Sequence, residues 1–293
     1  MQIAVNVRFL LPGDRLEGIG RYTYETASRL VRAHPDVTFH FLFDRPFDPR
    51  YVFAPNVVPH VLRPPARHPV LWWLWFEVSV AAWLRRHRPA AFLSFDSYTT
   101  LNTRVPRVTI FHDLAFEHFP QGISPLVRRY YQHFMPRFAR ASARLLTVSQ
   151  ATKDDVARTY GIDPARMTVA YNAPAPVFQP LPAAGQQAVR DQYAAGQPYF
   201  LFVGALHPRK NLVNLLRAFD AFKTATGSPT QLLLVGRWAW QTGAIADQYR
   251  AMRHQQAVQL TGRVPDAELA RLYAAARATC YVPFFEGFGL PVV

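Results

Sequence analysis

The sequence predicts an α/β protein with two parallel-sheet domains that face each other across a cleft. Short apolar segments alternate with helical segments, as is typical of parallel sheets covered by helices. Residues 172–182 interrupt this alternation with four prolines, and it resumes beyond them. We therefore predict an N-terminal domain over residues 1–172, a linker region over 173–198 and a C-terminal domain over 199–293.

The elements of the first domain follow from apolar runs and helical spacing. The predicted strands are 3–7, 38–43, 91–94, 107–111 and 144–148, and the predicted helices are about 22–34, 124–141 and 153–160. Ser149 is the predicted start of the third helix, because acidic residues follow it in the first turn.

A tryptophan-rich segment, residues 70–84, is the most lipid-like part of the chain. It is shorter than the ~20 residues of a membrane span and contains Glu77, so we predict no transmembrane helix. Four apolar residues share one helical face, namely Leu71, Trp75, Val78 and Ala82. This face favours packing against the sheet, while the basic run 85–88 leaves docking to a membrane surface open.

The second domain repeats the same rhythm. Its predicted strands are 199–203, 231–235, 258–260 and 278–282, and its predicted helices are 212–222 and 266–275. In such sheets, ligands bind at the carboxyl ends of the strands.

The composition limits the class of partner. The chain has 293 residues, half of them hydrophobic, and a formal charge of +14. No nucleic-acid recognition motif accompanies the scattered basic residues, so we predict anionic phosphate substrates or an acidic membrane surface and no nucleic acid. The single cysteine, Cys280, fits a reducing compartment.

A basic loop follows the first strand of the second domain. Gly204 ends that strand, and Arg209-Lys210 precede a helix predicted to begin near Asn211. Helix N-termini favour anions, and the two cations suit a diphosphate. The chain has only three lysines among its 33 basic residues, which favours a specific role for Lys210 over a solvated loop.

An acidic glycine turn follows the last predicted strand. Glu286 precedes Gly287, Phe288, Gly289 and Leu290, and Pro291 fits the first turn of a helix. The carboxylate can accept hydrogen bonds from sugar hydroxyls, and the glycines let the backbone approach a ligand. The alternative is a turn with an exposed acid.

Two further candidates lie in the first domain. His112 and Asp113 directly follow a predicted strand, where the histidine can bind a reacting sugar and Asp113 can order the loop. A structural histidine is the alternative; a metal site that includes His118 is not favoured, because no ligand cluster completes it. Gly18 and Gly20 precede the first helix and fit either an acceptor or phosphate loop or a helix cap.

Taken in order, these motifs resemble the retaining GT-B glycosyltransferases of family 4. The matching segments are 18–22, 112–113, 147–149, 171–172, 202–204, 209–211, 262–264 and 286–289. The resemblance implies two Rossmann-like domains, with Arg209 and Lys210 on the donor diphosphate and Glu286 with the following amides on the donor sugar. It also implies that Gly262, Arg263 and Val264 contact the base and that His112 lies at the transferred sugar.

The resemblance implies a transferase that moves a hexose from a nucleotide-diphosphate sugar to a glycan or lipid-linked acceptor, without a metal or other cofactor. We expect a cytoplasmic protein, at the inner face of the membrane if it docks there, and mannose from a guanine nucleotide as the donor. The family's second glutamate would fall at position 294, so we expect an incomplete second domain and little activity. An epimerase of similar architecture and a nucleotide-binding scaffold remain alternatives.

Overall fold

The computed structural model describes residues 1–13, 16, 18–237 and 243–293. These residues form two compact units, Met1–Tyr171 and Asn172–Val293. Each unit has its own parallel sheet, in agreement with the predicted fold class.

The N-terminal unit contains the following elements. Its strands are β1 (Gln2–Asn6), β2 (Thr38–Phe43), β3 (Val57–Val61), β4 (Ala91–Ser94), β5 (Arg107–Phe111), β6 (Arg144–Thr147) and β7 (Met167–Val169). Its helices are α1 (Ile19–Ala33), α2 (Pro69–Trp73), α3 (Ala81–His87), α4 (Ala115–His118), α5 (Pro125–Ala141) and α6 (Gln150–Tyr160). In the described residues, the strands pair in the order β3-β2-β1-β4-β5-β6-β7.

The order in which strands are added to this parallel sheet reverses between β1 and β4. The chain runs from β1 outward to β3 and then returns to place β4 against the other side of β1. Asn6 ends β1 and pairs with Ser94 at the end of β4. This is the topological switch point, where open α/β sheets bind ligands.

Two strands of this sheet were not predicted. Strand β3 contains Pro59, which has no amide hydrogen and so argues against a central strand. The structure places β3 at the edge of the sheet, where a proline is tolerated. Strand β7 has three residues and lies at the opposite edge, and its length is too short for an apolar pattern to show.

The predicted apolar face of the tryptophan-rich helix is confirmed at Trp75 and wrong at Val78 and Ala82. Residues Leu74–Val80 form a π-helical segment between α2 and α3, which changes the spacing of residues along the helix. Val78 is exposed, as is Ala82. The buried face consists of Trp75, Phe76, Val80, Ala81, Trp83 and Leu84.

The C-terminal unit is smaller. Its strands are β8 (Tyr199–Val203), β9 (Gln231–Val235), β10 (Val258–Gly262) and β11 (Ala278–Thr279). Its helices are α7 (Ala183–Ala194), α8 (Leu212–Thr226), α9 (Gly243–Ala251) and α10 (Asp266–Ala275). Among the residues described, these strands pair in the order β10-β9-β8-β11.

Helix α7 lies within the segment 173–198 that the sequence predicts as a linker region. Its Val189 and Ala194 are buried in a cluster with Tyr199 and Leu201 of β8, so this helix packs on the second sheet. Within the predicted linker region, the proline-rich part up to residue 182 and the short connection 195–198 have no helix or strand. Within the described ranges, no helix is both long enough and apolar enough to cross a membrane.

Candidate functional site

The basic loop lies at the carboxyl end of β8. Arg209 and Lys210 belong to a single 3₁₀ turn, Pro208–Lys210, which ends two residues before the first residue of α8. The Nδ1 atom of His207 accepts a hydrogen bond from the backbone N–H of Arg209 over 3.2 Å and so caps this turn. Burial lowers the pKa of His207, and the positive charges of Arg209 and Lys210 lower it further. The loop therefore holds its positive charge on the arginine and the lysine.

Glu286 joins both cations. Its Oε1 atom lies 2.6 Å from Nη1 of Arg209 and 2.6 Å from Nζ of Lys210. The three side chains are between 15% and 25% exposed, so solvent screens them only in part. The structure thus brings together two motifs that stand 76 residues apart in the sequence, Lys210 and Glu286.

The backbones of the two loops are also tied together. Nη1 of Arg209 donates to the carbonyl oxygen of Phe285 over 2.7 Å. The backbone N–H of Phe284 donates to the carbonyl oxygen of Arg209 over 3.0 Å. The bond between Phe284 and Arg209 joins backbone to backbone, so it holds the basic loop against the acidic turn independently of the ion pairs.

Three glycines line the carboxyl ends of the neighbouring strands. Gly204 follows β8, Gly236 follows β9 and Gly262 ends β10, and all three have a positive φ. A Cβ atom on Gly236 would lie 1.8 Å from the carbonyl oxygen of Gly204, so no other residue fits there. Sequence reasoning missed Gly236, although it follows its apolar strand as Gly204 does. The edge thereby exposes backbone instead of side chains to a ligand.

The acidic turn packs on an aromatic ring. Gly289 has a φ of 91°, and a Cβ atom there would lie 3.3 Å from the hydroxyl oxygen of Tyr281. The Nζ atom of Lys210 lies 5.9 Å from the centre of the same ring. Tyr281 therefore lies against both donor-binding motifs that the sequence predicts, and no motif in the sequence had indicated it.

The remaining predicted residues of this unit have varied positions. Gly287 is buried beside Glu286, Phe288 is half-buried and Leu290 is exposed, and Pro291 belongs to the 3₁₀ turn Leu290–Val292. Arg263 and Val264 follow Gly262 at the end of β10.

Asn211 adopts a left-handed conformation immediately before α8, with a φ of 61°. Its Oδ1 atom accepts a hydrogen bond from Asn214 over 2.7 Å. A mostly apolar cavity of about 260 Å³ opens here, lined by Pro208, Asn211, Leu212 and Phe284 together with residues of α8 and α9.

His112 lies in the N-terminal unit, just beyond the end of β5. Its Nε2 atom is 2.7 Å from the carbonyl oxygen of Phe95, and the ring of Tyr22 packs edge-on against it, with centroids 4.8 Å apart. Burial lowers the pKa of His112, although the carbonyl and the nearby acids Asp113 and Asp96 act in the opposite direction. The ring is therefore neutral at neutral pH.

The neighbouring candidates of this unit have local roles. Oδ1 of Asp113 accepts a hydrogen bond from the backbone N–H of Ala115 over 3.0 Å, which orders the loop after β5. Gly18 precedes α1 with a φ of 48°. A Cβ atom on Gly20 would lie 2.7 Å from the carbonyl oxygen of Phe9, so the start of α1 requires a glycine.

A buried polar network at the switch point was also missed. Asp96 accepts hydrogen bonds from Nε of Arg8 at 2.5 Å and from Nδ2 of Asn6 at 2.8 Å. The guanidinium of Arg8 lies 4.1 Å from the centre of the Tyr98 ring. Burial opposes the charge of Arg8, but Asp96 and Tyr98 outweigh it and raise the pKa of Arg8. Nothing in the sequence pattern brings residues 90 positions apart together before the sheet order is known.

The ring of His118 pairs with one acidic side chain. Its Nε2 atom pairs with Asp155 at 2.8 Å, and Asp155 also pairs with Arg158. Across the described part of the chain, no group of three or more histidine, cysteine or acidic side chains has a geometry that would hold a metal ion.

The chain matches two protein-family models. Residues 16–173 match the model described as Glycosyltransferase Family 4, and residues 186–293 match the model described as Glycosyl transferases group 1. Together the two models cover most of both compact units.

Two curated relatives and one solved structure illustrate the similarity. The chain is 29% identical over 187 residues to O-antigen chain mannosyltransferase B of Escherichia coli, covering 64% of this chain and 49% of the relative. It is 23% identical over 242 residues to O-antigen chain mannosyltransferase RfbU of Salmonella typhimurium, covering 83% and 64%. The chain thus spans about half to two thirds of the length of these relatives.

The solved structure is Anabaena HepE in complex with UDP and glucose. The TM-score is 0.69 at 16% identity, covering 99% of this chain and 76% of that one. At this identity the similarity concerns the fold.

Proposed function

The chain belongs to glycosyltransferase family 4 and has the GT-B fold of two Rossmann-like domains, and from this premise we propose that it transfers a hexose from a nucleotide-diphosphate sugar to a glycan or lipid-linked acceptor. The single observation that carries the proposal is the cluster of Arg209, Lys210 and Glu286, which combines two phosphate-binding cations with one sugar-binding carboxylate. The mannosyltransferase relatives support mannose as the hexose.

The proposed chemistry is stabilisation of the leaving group. As the bond between the anomeric carbon and the diphosphate oxygen breaks, its electron pair moves to the diphosphate. Arg209 and Lys210 stabilise the growing negative charge. The acceptor hydroxyl attacks the same face of the sugar and gives its proton to the departing phosphate oxygen, so the configuration is retained.

The other residues position the sugar. Glu286 accepts hydrogen bonds from sugar hydroxyls, and the amides of the turn 287–290 donate to the donor. His112 accepts from the transferred sugar, while Gly262, Arg263 and Val264 contact the base. We propose that the two cations, and not a divalent metal, neutralise the diphosphate.

We further propose a cytoplasmic location with contact to an anionic membrane surface. Val70, Trp73 and Val78 are 56%, 43% and 47% exposed on the helical segment that ends in the exposed arginines Arg85 and Arg86. Apolar residues beside arginines suit the headgroup region of anionic lipids. Binding to vesicles with anionic lipid but not to neutral vesicles is the expected result in a flotation assay, and equal binding to both would contradict it.

The transferase proposal is tested with a panel of nucleotide sugars. Thermal shift identifies the donor, because a ligand at 100 times its dissociation constant stabilises the folded state by ~2.7 kcal/mol. The identified donor is then incubated with and without a glycan acceptor. Acceptor-dependent sugar transfer is the expected result. An altered sugar formed without acceptor would indicate an epimerase, and binding without any reaction would indicate a scaffold.

A further inference from the structure

The carboxylate of Glu286 binds the same two cations that the proposed function assigns to the donor diphosphate. The proposed function assigns Arg209 and Lys210 to the donor diphosphate and assigns Glu286 to the donor sugar. In the structure, however, one oxygen of Glu286 holds both cations, at 2.6 Å each. A donor phosphate that binds the same two cations must therefore compete with this carboxylate.

The ion pairs of Glu286 with Arg209 and Lys210 are strong enough to compete with a phosphate. Hydrogen bonds between two charged groups at such distances are about twice as strong as neutral ones. The three side chains are mostly buried, and hydrogen bonds between Arg209 and the backbone of residues 284–285 hold the two loops together. With two positive charges and one negative charge, the cluster still keeps a net charge of +1 that attracts an anion.

A second observation concerns the same loop. The hydroxyl of Tyr281 is buried and has no hydrogen-bond partner among the residues described. It lies against Gly289 in the turn that follows Glu286. A buried hydroxyl without a partner is unfavourable. The arrangement with Glu286 on both cations thus leaves one polar group beside the acidic turn unsatisfied.

We propose that Glu286 determines donor specificity as an internal competitor of the diphosphate: the diphosphate takes over Arg209 and Lys210, and only this exchange releases the carboxylate for the donor sugar. The inference rests on the proposed function. A ligand with a sugar but no phosphate cannot displace the carboxylate, so Glu286 makes recognition of the sugar conditional on the phosphates.

The competition has a measurable size. The apparent affinity of a ligand equals its intrinsic affinity multiplied by the fraction of molecules that are competent to bind it. If about nine tenths of the molecules hold Glu286 on the cations, the affinity for a diphosphate falls about tenfold. Replacing Glu286 by a neutral residue removes this reduction.

Inorganic pyrophosphate is the probe, because it carries the diphosphate without a base or a sugar. Its dissociation constant is measured by calorimetry for the wild type and for Glu286→Gln, Glu286→Asp and Glu268→Gln. Glu268→Gln is the matched control, since Glu268 is similarly buried in the same unit but pairs with Arg271 at 2.7 Å. We expect about tenfold tighter binding to Glu286→Gln and no change in Glu268→Gln.

Glu286→Asp separates competition from simple charge repulsion. The shorter side chain keeps the negative charge but reaches the cations less well, so competition predicts tighter binding than in the wild type, and repulsion alone predicts no change. Sugar transfer should fall in Glu286→Gln although its pyrophosphate binding improves.

A measurement on the wild type does not depend on how the variants fold. A carbodiimide joins carboxylates to amines in direct contact, so it should link Glu286 to Lys210, and mass spectrometry detects the linked peptides. Pyrophosphate should suppress this link. Equal or weaker pyrophosphate binding in Glu286→Gln, or a link that pyrophosphate leaves unchanged, would overturn the inference while the transferase proposal stands. If pyrophosphate binds neither protein and Arg209→Ala leaves donor affinity unchanged, the phosphate assignment itself fails.

Discussion

Nε2 of His112 donates a hydrogen bond to the carbonyl oxygen of Phe95 over 2.7 Å. A carbonyl oxygen only accepts, so the ring proton resides on Nε2 and Nδ1 is left as an acceptor in the neutral ring. Because burial lowers the pKa of His112, this neutral form persists below pH 6.5. The first domain thus has a fixed hydrogen-bond acceptor, which the proposed function assigns to a sugar hydroxyl.

Replacing His112 by alanine should therefore reduce sugar transfer with little effect on nucleotide affinity, since the proposed contact is to the sugar. We expect a fall in kcat of about tenfold, because this corresponds to ~1.4 kcal/mol, a typical magnitude for one lost hydrogen bond. His118→Ala is the control, because His118 pairs with Asp155 instead. A chelator should not change the activity of the wild type or of His112→Ala. Loss of wild-type activity with a chelator would favour a metal site.

Arg209→Ala and Lys210→Ala should each lower kcat/KM. The expected loss corresponds to about 2–4 kcal/mol of transition-state stabilisation, the range for losing one contact to a developing anion. The effect on kcat should exceed the effect on donor affinity, since charge builds up on the diphosphate as the bond breaks. Arg217→Ala, an exposed arginine of α8, removes the same charge elsewhere in the unit. Values near the wild type for both Arg209→Ala and Lys210→Ala would refute the phosphate assignment.

Gly236→Ala should destabilise the C-terminal unit by at least about 3 kcal/mol, because its Cβ would lie 1.8 Å from the carbonyl oxygen of Gly204 and its φ is 154°. Gly243→Ala is the control, since no atom lies within 4 Å of that Cβ position. Chemical denaturation gives both values. A stable Gly236→Ala protein would mean that the two strand ends are further apart than the structure shows.

Much of the architecture could be predicted because each strand of a buried parallel sheet is a short apolar run. Strands β2, β8 and β9 and helix α10 have the predicted bounds. The failures have local causes. Strand β3 was not predicted because it contains Pro59. The burial of Val78 was predicted wrongly because the π-helical segment Leu74–Val80 changes the spacing of residues along the helix.

The candidate site was predictable only where its chemistry is local. The Arg209-Lys210 and Glu286-Gly287 motifs are each visible in the local sequence, and the structure joins them. Pairs that depend on tertiary structure gave no signal. Arg8 and Asp96 meet because β1 lies beside β4, and Tyr281 reaches Gly289 through the path of the turn.

A histidine pair should make stability depend on pH. Nδ1 of His40 lies 3.0 Å from Nε2 of His60, with His87 and Trp83 packed beside them. Burial lowers the pKa of both His40 and His60, and the charges of neighbouring histidines lower it further. The unfolded chain therefore binds more protons than the folded one as the pH falls below 6.5, and this contribution to stability, present above pH 6.5, is lost on acidification.

The free energy of unfolding should accordingly fall between pH 7.5 and pH 5, by at most about 1.4 kcal/mol per pH unit for each proton taken up. The double variant His40→Gln/His60→Gln should show a shallower dependence, and His133→Gln, at an exposed position of α5, should retain the wild-type slope. An unchanged slope in the double variant would remove the pair as its source.

Tyr281→Phe should stabilise the protein by about 1 kcal/mol, because it removes a buried hydroxyl that has no partner among the described residues and keeps the ring against Gly289. Tyr199→Phe is the matched control in the same unit. Its hydroxyl donates to the carbonyl oxygen of Leu272 over 2.6 Å, so its loss should destabilise by about 1 kcal/mol. Denaturant unfolding at pH 7.5 gives both signs. An equal loss of stability in both variants would show that the Tyr281 hydroxyl has a hydrogen-bond partner in solution. The acidic turn would then carry no unsatisfied hydroxyl.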